Sequence, residues 1–242
     1  MEQMRQIDAK TAIDFLLPRH YSGRKPQVSI AFGLYIDDEL NAVCTFGKPA
    51  SPYLCIGVCG REEKEHVYEL NRLCRLEKCT VQMSHFVGWC LKQLKKKDWI
   101  VVSYSDTAMN HHGYVYQATN FLYTGCTKKR TDMYVKGKHS RHATKDNCST
   151  KIRKVRSAKH RYIYFCTNNK QLKKRWMKEL RYPIKPYPKG DNSKYQLGHF
   201  LKEQVVYKND CDNFDNKGNG TAQPCTDFVM NRIAEHEMSK HN

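Results

Sequence analysis

None of the apolar runs in this 242-residue chain approaches the roughly 18 residues that a membrane-spanning helix requires. The opening residues, MEQMRQIDAK, also lack the apolar stretch of a signal peptide. A soluble cytoplasmic protein is therefore expected, with its cysteines reduced. No two of the 11 cysteines are separated by two residues, which removes the paired knuckles of structural zinc and leaves buried, inert thiols. The chain has no P-loop, no GxGxxG, no HExxH and no GxSxG, so the common nucleotide-binding, metalloprotease and serine-hydrolase sites lose support. No internal repeat is present.

Acids are scarce where bases are dense. Residues 128–190 hold 21 Lys and Arg against three acids, Asp132, Asp146 and Glu179, a surplus of 18 that equals the formal net charge of the whole chain. Charge localised in this way is the footprint of a polyanion-binding surface. Nucleic acid is the first expectation, and an acidic protein or an anionic membrane surface is the alternative.

Hydrophobic periodicity outlines the elements. Ala12, Phe15 and Leu16 mark a helix ending at Pro18. Val28, Ile30, Phe32, Leu34 and Ile36 alternate as a strand, and AVCTFG returns as the second arm of a hairpin after the turn DDELN. LCIGVCG reads as a short strand and HVYELNRLCRLE as another, with Tyr68, Leu70 and Arg72 on one face. Val87, Cys90, Leu91 and Leu94 give a helix between Thr80 and Lys97, with Thr80 as its cap. WIVVSY is a strand covered on both faces, which completes a βαβ unit. GYVYQATN forms a two-turn helix, FLYTG and TDMYVKG are strands, and HRYIYFC is a later one. Between the last two, Lys138 to Lys159 carries too few apolar residues for a core and is expected to be a long loop or arm. NKQLKKRWMKELRYP is an amphipathic helix. The tail after Asp210 is polar, with a linker and a terminal helix. The fold class is α/β, built on a mixed sheet, with a main domain over residues 1–195 and an extension over residues 196–242.

In such sheets ligands bind beyond the carboxyl ends of parallel strands, and the buried strand WIVVSY runs directly into SDTAMNHHGYVYQATNF. Asp106 stands there either as a desolvated general base or as a cap of the next turn. Ser103 and Ser105 share a face, and either position a substrate or brace the loop. His111, His112 and Gly113 precede the short helix, and Tyr116 is an acid, a donor or a core aromatic. His20 and Tyr21 lie on a loop, where the imidazole offers a base or a metal ligand, or remains a surface residue. Arg72 either faces the cleft or pairs with Glu69 or Glu77.

The order VYELNRLCRLE, helix, WIVVSYSD, HGYVYQATNFLYTG resembles the GNAT acyltransferase superfamily over residues 10 to 135. The Q/R-x-x-G-x-G/A loop that cradles the coenzyme A pyrophosphate is absent: KCTVQMSHFVG stands in its place. A closer resemblance is carried by RHYSG, FGLY, AVCTFGKPAS, ELNRLCRLE, SYSDTAMNHHGYVYQATNFLYTG, HRYIYF and LRYPIKPYPKGDN, which together look like the bacteriophage Mom family over residues 18 to 195. That family has the GNAT-like fold and shares the missing loop. It modifies the exocyclic amine of adenine in duplex DNA by methylcarbamoylation, protecting phage DNA from restriction.

The resemblance implies a catalytic set of His20, Tyr21, Ser103, Asp106 and Tyr116, with Arg72 and Ser105 binding substrate. It implies an unidentified donor, with acetyl-CoA or another acyl-CoA weakened by the missing loop, and an iron ion for which His20, Tyr21 and Asp106 are ligand-capable. Double-stranded DNA is the expected partner, and the flipped base would be held by backbone contacts from Lys128, Lys129, Arg130, Arg141, Lys151, Arg153, Lys154, Arg156, Lys159 and Arg161, with Tyr134 filling the gap in the stack. The alternatives are an N-acyltransferase acting on a protein, tRNA or amino-modified thymidine, and a non-catalytic DNA-binding protein on the same scaffold.

Overall fold

In the computed structural model, which describes residues 1–136, 142–144, 147–191 and 204–208, the central hairpin is set by two aspartates. β2 (Ile30–Ile36) and β3 (Glu39–Gly47) are joined through Asp37 and Asp38, both at positive φ, the geometry that matches the twist of the flanking strands. An edge strand unforeseen in the sequence, β1 (Glu2–Ile7), pairs antiparallel with β2. Its composition, EQMRQI, is too polar to announce a strand. α1 (Ala9–Leu16) follows, with the Asp8 carboxylate accepting from the Thr11 N–H at 2.8 Å, and buries Ala12, Phe15 and Leu16 against Ala31 and Val43.

The segment LCIGVCG is not a strand. Residues Pro52–Cys59 form helix α2, begun by a proline at its first turn and ended at Gly60 with φ of 104°. Proline has no N–H to lose at that position. The helix has apolar residues on all sides, so no 3.6-residue period distinguished it from a buried strand.

β4 (Val67–Arg75) carries a bulge: Phe46 pairs with Leu70 and Thr45 with Arg72, leaving Asn71 as the extra residue. The Asn71 side chain accepts from Thr45 Oγ1 at 2.6 Å and donates to the Gln27 carbonyl at 2.7 Å, so the bulge is pinned from both sides. Tyr68, Leu70 and Leu73 therefore share one core, whereas Arg72 leaves the face on which simple alternation placed it.

α3 (Met83–Leu94) starts after Gln82 without a side-chain cap, and Gln82 is two residues beyond the Thr80 cap expected from the sequence. β5 (Trp99–Asp106) pairs in parallel with β4 only from Val67↔Ile100 to Leu70↔Ser103, but pairs antiparallel with β9 (Lys159–Cys166) along its whole length. α4 (Tyr114–Ala118) and β6 (Leu122–Cys126) come next in the chain. The seven-stranded sheet has the order β1-β2-β3-β4-β5-β9-β6, the mixed α/β architecture expected. α3 and α4 cover one face. α2 and α5 (Lys170–Glu179) cover part of the other, where Trp176 is wholly buried among Val67, Ile100 and Phe165.

A second compact unit begins at Lys128 and ends at Ala158, and takes in β10 from the later chain. β7 (Arg130–Met133), β8 (Ile152–Arg156) and β10 (Val205–Tyr207) form an antiparallel sheet in the order β10-β8-β7. Two expectations change here. The stretch from Lys138 to Lys159 is not all loop, because Ile152 and Val155 frame a strand among basic residues. Residues 196–242 likewise contribute a strand; the terminal helix lies outside the described residues, as does Arg141. Among the described residues no helix is long and apolar enough to cross a membrane.

Candidate active site

Beyond Leu70 and Ser103, β4 and β5 no longer pair, and the sheet opens there into a cavity of about 960 Å³. The bulge decides what lines it. By displacing Asn71 it puts Arg72 on the same sheet face as Glu69, and both side chains stand in the cavity wall. Tyr104 and Ser105 come from β5, Gly113 and Tyr116 from the start of α4, and His20 and Tyr21 from the loop after α1.

The His20 and Tyr21 rings stack with centroids 4.4 Å apart, and His111 meets Tyr21 edge-on at 6.0 Å. His20 is 7% exposed. Burial, followed by the charges of Arg72, His111 and Lys159, lowers its pKa to about 3, so the imidazole is neutral at physiological pH. Its Nδ1 accepts from the Ser22 backbone N–H at 3.2 Å and lies 2.9 Å from Ser22 Oγ.

Two buried polar atoms in the wall have no hydrogen-bond partner: Arg72 Nε and Ser105 Oγ. The Arg72 guanidinium is otherwise held by its own strand and the loop, Nη1 donating to the Asn71 carbonyl at 2.6 Å and Nη2 to the Arg24 carbonyl at 3.4 Å. An unpartnered buried donor costs about 1–3 kcal/mol.

Glu69 is the residue sequence reasoning missed. Among the described residues nothing hydrogen-bonds or ion-pairs its carboxylate, and burial raises its pKa, with Arg72 and Lys159 pulling it back. A carboxyl group so placed holds a proton more readily than an exposed carboxylate. Its only signal in the sequence was an acid inside a half-buried strand. Seeing it as part of the site requires the bulge.

Tyr116 keeps its proton. Burial first, against a hydrogen bond with Ser103, moves its hydroxyl pKa up to about 12, and its ring packs on Phe121 and Tyr162. Ser103 is fully buried and donates to the Leu70 carbonyl at 3.0 Å, clasping the last paired residues of β4 and β5.

Asp106 does not stand in the cavity wall with the others. It is 3% exposed, its Oδ2 accepts from Lys159 Nζ at 2.8 Å, and its Oδ1 accepts from the Ala108 N–H at 3.0 Å. It caps the turn Thr107–Met109 and anchors Lys159, which itself lines the cavity. His112 contributes its carbonyl, which accepts from Tyr162 Oη at 2.5 Å and Gln117 Nε2 at 2.9 Å.

The connection from β4 to α3 lacks the glycine-rich coenzyme A loop, and the described residues do not assemble an iron site. No glycine occurs between Gly60 and Gly88. In the connection from β4 to α3 the amides of Leu76 and Cys79 already bond Asn41 and Leu76 carbonyls, and Glu77 adds a carboxylate to the wall. Among the described residues no group of three His, Cys, Asp or Glu could hold a metal, and both Asp106 oxygens have donors. Seven of the described cysteines are buried, Cys126 is exposed and Cys148 is partly buried. Burial pushes the Cys59 and Cys166 thiols up to about 12, consistent with inertness.

The expected phosphate contacts separate into two kinds. Lys128, Lys129, Arg130 and Lys151 are exposed on the second unit. In the same unit Lys154 is buried, Arg156 Nε donates to Asp132 at 2.7 Å, and Arg153 donates to the Thr131 carbonyl at 3.1 Å. Arg161, in the first unit, is fixed by Thr124 and lies over the Tyr182 ring at 3.3 Å. These are engaged within the fold.

A family model described as the Mom protein family matches residues 2–189. The chain is similar to the crystal structure of an N-acetyltransferase from Staphylococcus aureus Mu50, with TM-score 0.44 and 10% identity over 69% of this chain and 99% of that one. The ribosomal-protein-S18-alanine N-acetyltransferase from Escherichia coli gives 0.43 and 9% over 70% and 96%. A GNAT family acetyltransferase from Elizabethkingia anophelis with acetyl-CoA bound gives 0.41 and 13% over 68% and 97%. No curated protein matches.

Proposed function

Because the chain belongs to the Mom protein family, we propose that it modifies the exocyclic amine of adenine in duplex DNA, in a methylcarbamoylation-like transfer that shields the DNA from restriction. The observation that carries the chemistry is the pairing, in one cavity wall, of a carboxyl group with raised pKa, Glu69, and a phenol that keeps its proton, Tyr116. The adenine amine is a poor nucleophile because its lone pair is delocalised into the ring. As its nitrogen forms a bond to the donor carbon, Glu69 accepts the amine proton. Tyr116 donates to the group that departs with the electrons of the broken bond. Positioned acid and base groups of this kind contribute roughly 10²–10⁴-fold each.

The amine is paired inside the duplex, so the base has to leave the stack before it reaches the cavity. The exposed cations Lys128, Lys129, Arg130 and Lys151 are suited to holding the distorted backbone through phosphate contacts. Asp106 supports the site by holding Lys159.

The test is mass spectrometry of nucleosides from plasmid DNA grown with the protein and with Glu69→Gln. A heavier deoxyadenosine present only with the unmutated protein is expected. Unmodified DNA, with new mass on tRNA or protein instead, would redirect the same acid and base to another amine acceptor and overturn adenine as the substrate.

A further inference from the structure

We infer that His20 serves this site as a fixed, uncharged hydrogen-bond donor through a protonated Nε2, its tautomer set by Ser22, and that the group it holds is an oxygen acceptor such as the carbonyl of the transferred moiety. The role rests on the transfer reading above. The tautomer does not.

The Ser22 backbone N–H points at His20 Nδ1 at 3.2 Å. A backbone amide can only donate, so Nδ1 presents its lone pair. Ser22 Oγ, 2.9 Å from the same nitrogen, then also donates to it. A neutral imidazole with an unprotonated Nδ1 carries its proton on Nε2.

Local structure holds this arrangement in place. The His20 N–H donates to the Leu16 carbonyl at 2.8 Å, and the Gly23 N–H donates to the His20 carbonyl at 2.9 Å. This closes a turn whose last residue, Gly23, has φ of 55°. Tyr21 stacks on the ring. Among the described residues nothing hydrogen-bonds Nε2, and the cavity is the space that the ring borders.

The backbone donor held at Nδ1 leaves no place there for a second proton on the ring. His20 therefore neither cycles as a general base nor offers Nε2 to a metal, since that nitrogen has no free lone pair. What remains is a donor that stays put. Such a group recognises an oxygen, and its hydrogen bond strengthens as negative charge develops there. An amine or a cation finds no partner in it. The adenine amine and the donor oxygen are thereby sorted, the first toward Glu69 and the second toward His20.

The experiment has two arms. In protein labelled with ¹⁵N-histidine, long-range ¹H–¹⁵N correlations should show a pyrrole-type Nε2 and a pyridine-type Nδ1 for His20 that do not titrate between about pH 5 and 8. Loss of the signals in His20→Gln assigns them. A protonated Nδ1, or titration in that range, overturns the inference whatever the protein acts on. In the second arm, nucleoside modification is compared in His20→Gln, whose side-chain amide can donate near the Nε2 position but cannot act as a base, and His20→Leu. Glutamine should retain most of the rate and leucine should lose roughly 10²–10³-fold. Equal loss in both, with unchanged thermal unfolding, overturns the donor role. If DNA is not the acceptor, the first arm still decides the tautomer, which separates failure of this inference from failure of the adenine reading.

Discussion

Lys159 Nζ donates to Asp106 Oδ2 at 2.8 Å between residues that face each other directly in the β5/β9 pairing. The contact places a cation at the cavity while its counter-charge stays behind the wall. Asp106 thus supports the site without meeting the ligand, and its removal should act through Lys159 and through the turn it caps.

Asp106→Ala should lower stability by about 1–2 kcal/mol, chiefly by removing the cap, since the ion pair is partly solvated on the lysine side. Modification should fall without being abolished. Thermal unfolding and nucleoside analysis on the same preparations check both halves; complete loss of activity in a stably folded variant would return Asp106 to the role of base.

Glu69 makes a prediction about pH with a definite sign. Its folded-state pKa is raised above that of the unfolded chain by burial. Its favourable contribution is therefore fully present below the unfolded value and is lost as pH rises through the folded value. Glu69→Gln removes that dependence. The variant should be more stable than the parent at pH above the folded-state value of Glu69, with a flatter plot of melting temperature against pH, and inactive.

Gly113 sits at φ of 71°, and a Cβ there would lie 2.5 Å from the Tyr162 ring. Gly113→Ala should cost more than about 1 kcal/mol and displace the Tyr162 ring on which Tyr116 packs. Aromatic NMR shifts of Tyr116 and Tyr162 would register the displacement, and unperturbed shifts would refute it.

The exposed cations of the second unit can be counted through salt. Replacing Lys128, Lys129, Arg130 and Lys151 by alanine should reduce the slope of log affinity for duplex DNA against log salt by roughly 3 to 4. An unchanged slope would take these four residues out of the DNA contact.

Much of the first unit was legible because its signals are local. The alternation of β2, the apolar run of β5 and the helical spacing of α3 each need only a few consecutive residues to be read. β1 was missed because an edge strand made of EQMRQI gains its order from pairing with β2. α2 was misread because a helix with apolar residues on all sides has no period. Of the residues singled out in the sequence, His20, Tyr21, Arg72, Ser105 and Tyr116 line one cavity, while Asp106 and Ser103 are buried outside its lining. Glu69 was passed over because its membership depends on a non-local register. Ser22 was invisible for a related reason: its function lies in a backbone N–H, which no side-chain pattern records.

The bulge at Asn71 has an arithmetic consequence. Glu69 and Arg72 differ by an odd number of positions, so a regular strand would send them to opposite faces. One inserted residue cancels that parity and gives the cavity an acid and a base from adjacent turns of the pleat, while Leu70 and Leu73 share the core behind them. The site therefore depends on a single-residue count. Deleting Asn71 would remove the bulge and still leave Glu69 and Arg72 on one face, now two positions apart, whereas drawing Asn71 into a regular ladder would send Arg72 to the core face and Leu73 to the cavity face.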